Sequence, residues 1–215
     1  MFQDRAAAGR RLGEHLRARL EGADSRVLGI PRGGVLVAAP VAAALGAPLD
    51  VLVPRKIGAP GQAELAIGAV ALAGDEEIVV LDPVAVEQLG VLRSYVAAEV
   101  RRQRQEIERR LAAYREGAPT LGLQGRTVVL VDDGIATGLT ARAAVQAALR
   151  LGARAVILAA PVAPPEVVRE LRREGLQVEV LETPSPFLAV GQFYAEFGPV
   201  EDDEVRVALA ACRPS

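Results

Sequence analysis

Residues 127–140, TVVLVDDGIATGLT, gather side chains whose types and order suit one kind of ligand. An apolar run ends at two adjacent acids, Asp132 and Asp133. The short loop Gly134-Ile135-Ala136 follows, and Thr137-Gly138-Leu139-Thr140 opens a segment with helical periodicity. Read as strand, loop and helix, this puts the loop at the carboxyl end of a strand, where open α/β sheets bind their ligands. A helix N-terminus offers unpaired N–H groups and the positive end of a dipole, which suits phosphate. Gly134, Ala136 and Gly138 let the backbone come close, and the hydroxyls of Thr137 and Thr140 add donors. The acid pair prefers something else: it repels phosphate but accepts hydrogen bonds from a diol or holds a divalent metal. Phosphate on one side and hydroxyls on the other describe a ribose 5-phosphate.

Two further segments carry positive charge to the ends of apolar runs. Arg32-Gly33-Gly34 follows residues 26–30, and Arg55-Lys56 follows residues 49–53. Lys56 is the sole lysine in a chain whose Lys and Arg total 25. A compact ammonium kept among so many guanidinium groups fits a phosphate or a leaving group; a plain surface position is the other reading. Alone, Pro31-Arg32-Gly33-Gly34 is an ordinary turn. The single histidine, His15, lies on the first helix and suits a surface or interface role. There is no Cys/His metal cluster, no histidine placed to serve Ser25, Ser94, Ser185 or Ser215 as nucleophiles, and no G-x-x-x-x-G-K-[ST] loop.

The elements that position these residues follow from periodicity. Residues 4–20 form a helix with Ala8, Leu12, Leu16 and Leu20 on one face, ended by Gly22. A strand at 26–30 leads into a helix at 35–45, where Pro40 predicts a kink or a late start. A strand at 49–53 is followed by a Gly/Pro-rich loop at 54–64. Strands at 65–72 and 78–81 flank a turn at Gly74-Asp75. Residues 91–116 form a helix whose inward positions are Val96, Val100, Ile107, Leu111 and Tyr114, with Gln103 filling the missing slot. So thin a stripe predicts an arm or a dimer contact, so a homo-oligomer is one expectation. The Arg-rich run 101–110 is read as a solvated face, with an RNA-contacting stripe as the minor alternative. Beyond it come a strand at 127–131, a helix at 139–151, a strand at 155–160, a helix at 165–174 and a strand at 176–181. Residues 201–212 form a short helix. Such alternation predicts an α/β fold with a parallel-sheet core covered on both faces. The core spans 1–182, with a helical insertion at about 83–117; residues 183–215 form a small hood and a C-terminal helix.

Composition bounds the remaining choices. Of 215 residues, 51% are hydrophobic and 24% charged, which describes a packed globular chain and excludes a disordered one. The net charge of −2 argues against a general nucleic-acid or membrane binder. One cysteine, Cys212, leaves no internal disulfide. No apolar run reaches the ~18 residues of a membrane span, and the N-terminal residues lack a secretory apolar region. A cytoplasmic protein is expected.

The segment VVLVDDGIATGLT resembles the phosphoribosyl-pyrophosphate (PRPP) binding motif of the type I phosphoribosyltransferases. The resemblance implies a phosphoribosyltransferase-like core and transfer from PRPP to a nitrogenous base, giving a nucleoside 5′-monophosphate and pyrophosphate. It implies that residues 134–140 grip the 5′-phosphate and that Asp132 and Asp133 hold the ribose hydroxyls. It also implies Mg²⁺ as cofactor, held weakly or indirectly by the two acids. Arg32, Gly33 and Gly34 are similar to the family's pyrophosphate loop, for which a non-proline cis peptide at Arg32–Gly33 is the expectation. Arg55 and Lys56 resemble its basic pair, with Lys56 stabilising the departing charge. Residues 57–65 match the place of a mobile loop hinged at Gly58 and Gly61, from which Gln62 and Glu64 could reach the site. Residues 183–197 resemble an aromatic acceptor hood; local packing is the equal alternative for Phe187, Phe193, Tyr194 and Phe197. Ala136 replaces the acid found there in hypoxanthine–guanine members, and the insertion has no counterpart in the commonest members. A PRPP-sensing regulator that binds RNA, DNA or a protein through 91–116 is the alternative function.

Overall fold

In a computed structural model, residues 1–20 and 23–212 are described; the helix end placed at Gly22 and the residue Ser215 fall outside them. Five parallel strands form the main sheet: β1 (Ser25–Gly29), β2 (Leu49–Val51), β6 (Thr127–Val131), β7 (Ala155–Val162) and β8 (Gln177–Glu182), in the order β2-β1-β6-β7-β8. Such strands are apolar almost throughout because helices cover both faces. Val27, Val129 and Val131 face α1 (Arg5–Leu20) and α2 (Gly33–Leu45), packing with Leu12, Leu16 and Val41. Their neighbours Leu28, Val128 and Leu130 pack with Ala143, Ala144 and Ala147 of α5 (Leu139–Arg150) and with Leu171 of α6 (Pro165–Arg173). The expected α/β core with two covered faces is present.

From β1 the chain moves to the β2 edge, and from β6 it moves the other way to β7 and β8. Strand order therefore reverses between β1 and β6, the position where such sheets open a crevice at their carboxyl ends. Three of the candidate segments leave the sheet there: residues 30–34 after β1, residues 54–56 after β2 and residues 132–140 after β6.

Three expectations change. The Gly/Pro-rich segment is not a loop: β3 (Arg55–Ala59) and β4 (Gln62–Ala73) pair antiparallel about the turn Pro60-Gly61, and β5 (Glu76–Leu81) completes a three-stranded sheet. The small residues Ala69 and Ala71 of β4 pack into the α5 side of the core, while Ile67 and Val70 join the other cluster. Nor is the insertion a projecting arm. After the short α3 (Pro83–Gln88), α4 (Arg93–Arg115) lies on β3, β4 and the C-terminal α7 (Asp202–Ala211). Val100, Ile107 and Tyr114 are buried on that face with Glu99 and Gln103, so the thin stripe is an inward face that includes two satisfied polar groups. Helix α2 also begins earlier than expected and runs through Pro40, whose ring packs where Gly9 of α1 leaves room.

The C-terminal end of α4 is fixed by a buried pair. Asp50 of β2 accepts from Arg115 Nε and a second guanidinium nitrogen, each at 3.1 Å, and from the N–H of Leu121. A carboxylate this buried is tolerated only with such full pairing.

Candidate functional site

At the switch point lies a cavity of about 460 Å³. Its walls include Arg32 and Gly33, Arg55 and Lys56, Asp132 and Asp133, and Thr140, so all three candidate segments converge on it. The remaining residues of the acid-rich motif have other surroundings. Gly134 is buried against Val190, Ile135 and Gly138 are buried, and Ala136 and Thr137 are exposed beside the mouth of α5. Gly138 caps that helix with φ +77°, a left-handed conformation that glycine adopts without penalty. Glu64 reaches the cavity from the hairpin, whereas Gln62 is not among its lining residues.

The pyrophosphate-type loop lies directly on the acids. The backbone of Gly34 passes so close that a Cβ there would sit 2.8 Å from Asp132 Cα and from the Val131 carbonyl oxygen, and a Cβ on Gly33 would collide with the Asp133 carboxylate. Only glycines permit this approach. A non-proline cis peptide is present, but at Pro31–Arg32, one bond before the expected position.

The two acids are not equivalent. Asp133 Oδ2 accepts from Arg5 Nε at 2.8 Å, a partly buried pair. Arg5 also donates to the Gly198 carbonyl at 2.9 Å and lies over the Phe197 ring at 3.9 Å. Asp132 accepts the Asp133 N–H at 2.8 Å. Burial first, then the charge of Asp133, pushes the Asp132 carboxyl well above the usual range, with Lys56 pulling the other way. No three His, Cys, Asp or Glu side chains among the described residues gather into a metal cage. A partly buried carboxylate pair, one member already held by Arg5, fits a hard cation such as Mg²⁺ only if the ligand and water supply most of its shell.

Sequence reasoning missed Arg5, which lies 128 positions from its partner in the chain and gives no local signal. It also missed Tyr95, Glu99, Arg102 and Gln103, which line the cavity from α4. Gln103 was visible as the polar residue in an apolar stripe; the others were not. Tyr95 donates to the Gly58 carbonyl at 3.0 Å and ties the hairpin to α4.

The aromatic segment does both things proposed for it only in part. Tyr194 is buried with Phe2, their rings 5.6 Å apart, and donates to the Asp133 carbonyl at 2.6 Å. Phe187 and Phe193 pack on each other at 4.9 Å. The hood is thus seated beside the acid pair, but none of its aromatics lines the cavity. His15 of α1 pairs with Glu179 of β8 at 3.0 Å, a half-buried contact between helix and sheet that lies outside the cavity lining. The α4 arginines Arg104, Arg109 and Arg110 pair with Glu77, Glu106 and Glu108 of the same chain, which supports a solvated face over an RNA stripe.

Residues 3–187 match the family described as phosphoribosyl transferase domain. The chain belongs to that family. It is 46% identical over 205 residues to the Mycobacterium tuberculosis protein named "Putative phosphoribosyl transferase Rv0571c", and equally to "Putative phosphoribosyl transferase MT0597" of another strain. The match covers 95% of this chain and 45% of either relative, so the chain spans about half the length of those proteins. Among solved structures it is similar to TT1426 from Thermus thermophilus, at 43% identity and a TM-score of 0.82 over 99% of both chains. No helix among the described residues is long and apolar enough to cross a membrane.

Proposed function

We propose that the protein transfers the 5-phosphoribosyl group of PRPP to the nitrogen of a base, releasing pyrophosphate and forming a nucleoside 5′-monophosphate. The observation that carries this reading is the convergence of Asp132, Asp133, Arg32, Gly33, Lys56 and Thr140 on one cavity at the reversal of strand order. The exposed turn residues Ala136 and Thr137 and the first N–H groups of α5 offer the 5′-phosphate its donors. Asp132 and Asp133 accept from the ribose hydroxyls, and Arg5 keeps Asp133 in place to do so. Arg32 and Lys56 oppose the charge that develops on pyrophosphate as the bond to the anomeric carbon lengthens. This is catalysis by positioning and electrostatics, with no covalent intermediate on the protein. Asp132 and Asp133 are the residues that would hold Mg²⁺, which when bound supplies charge neutralisation to the pyrophosphate oxygens.

Thermal melting tests the binding half of the reading. Millimolar PRPP with Mg²⁺ raises the melting temperature by linkage. An unchanged melting curve under those conditions contradicts it.

A further inference from the structure

Helix α4 does more than roof the cavity. Within one turn it presents Glu99, Arg102 and Gln103 to the cavity wall, all three outside the acid-rich motif and both glycine loops. Glu99 and Gln103 are 7% exposed. Their hydrogen bonds form a chain: Arg55 Nε donates to Gln103 Oε1 at 2.9 Å, and Gln103 Nε2 donates to Glu99 Oε1 at 2.7 Å. Arg102 donates to the same Glu99 oxygen at 2.6 Å. A buried carboxylate therefore fixes which way the amide of Gln103 points, with its oxygen toward Arg55 and its nitrogen toward Glu99. With the amide so fixed, Arg55 meets an acceptor rather than a donor.

The charges around Arg55 indicate what the arrangement serves. Burial, then the nearby charge of Arg110, disfavours its protonated form. Burial raises the Glu99 carboxyl, but hydrogen bonds from Arg102 and Gln103 outweigh it and hold the group below its usual range. The carboxylates of Glu106 and Glu99 favour the charged guanidinium, but burial and Arg110 outweigh them, so this partly desolvated group beside Lys56 gains from a further anion in the cavity. The apolar stripe of α4 would accommodate a Leu or Met at position 103 more cheaply than an amide. The Gln is explained by what it does to Arg55.

We propose that Gln103, oriented by Glu99, is a positioning residue that aims the Arg55 guanidinium at the pyrophosphate-binding side of the cavity. This rests on the phosphoribosyl-transfer reading above and extends it to the helical insertion. Anion binding at this wall is then a property of α4 as much as of the loops.

The test is calorimetric titration of inorganic pyrophosphate and of ribose 5-phosphate, separately and with Mg²⁺, into wild type, Gln103→Met, Arg55→Ala and the double variant. Gln103→Met keeps the side-chain length and removes the acceptor. It is expected to weaken pyrophosphate about five- to tenfold, the net worth of one ordinary hydrogen bond, and to leave ribose 5-phosphate within about twofold. In the Arg55→Ala background the same change is expected to have no further effect. A purely structural role for Gln103 predicts equal losses for both ligands, or an effect that persists without Arg55; either result overturns the inference. Gln103→Leu also removes the acceptor and serves if Gln103→Met melts early. It is expected to give the same selective loss of pyrophosphate, and a loss for both ligands again counts against the inference. Wild-type binding of both ligands with no selective loss in either variant refutes the role of Gln103 and leaves the functional reading standing. Wild-type failure to bind either ligand removes both.

Discussion

Arg5 divides the labour between two adjacent acids. It pairs with Asp133, while Asp132 is left to burial and to the repulsion of its neighbour. An acid whose folded-state value is raised binds a proton more readily in the native state, so it costs stability as pH climbs from the ordinary aspartate range toward the raised value. Asp132→Asn is therefore expected to raise the melting temperature of the ligand-free protein at pH 7, with the gain shrinking toward pH 4. Thermal scans across that range check it; a lower melting temperature at pH 7 contradicts the electrostatic account. Lys56 tests the opposite charge. Lys56→Ala is expected to weaken pyrophosphate more than ribose 5-phosphate, and equal weakening shows that it does not serve the leaving group. The acid doublet, the glycine pair and Lys56 were legible because each sits in a short, unusual local pattern. Arg5 was not, because a guanidinium whose partner is half a chain away leaves no trace in spacing.

Elements carry the site by close approach. Gly34 opens α2 against the end of β6, with no room for a methyl group between backbones. Gly34→Ala is expected to lower the melting temperature of the ligand-free protein, because the backbones must move apart, and to abolish the PRPP-induced rise in melting temperature. A retained rise shows that the contact is not needed. Leu12 of α1 is fully buried between α2 and the sheet, so Leu12→Ala is expected to cost about 2–5 kcal/mol in denaturant unfolding. Strand and helix positions in the parallel core were readable from apolar runs and their caps. The hairpin was not, since Gly58, Pro60 and Gly61 carry the composition of a loop while their neighbours pair as strands. The α4 stripe was read correctly but interpreted as sparse, because only the tertiary partners show that Glu99 and Gln103 belong to its inner face.

At the scale of the molecule, one cavity takes contributions from the loops after β1, β2 and β6, from the hairpin and from α4. The hood and α1 close in behind it through Tyr194 and Arg5, both bonded to Asp133. Segments far apart in sequence thus share one site, which makes ligand binding a report on the whole fold rather than on one loop. The most direct measurement is a turnover assay with PRPP, Mg²⁺ and a panel of adenine, guanine, hypoxanthine, xanthine, uracil and orotate, reading pyrophosphate release and the nucleotide formed. The account predicts stoichiometric release with at least one base, lost in the folded double variant Asp132→Asn with Asp133→Asn. Release with none of these bases, by a protein that does bind PRPP, would show a sensor in place of a transferase.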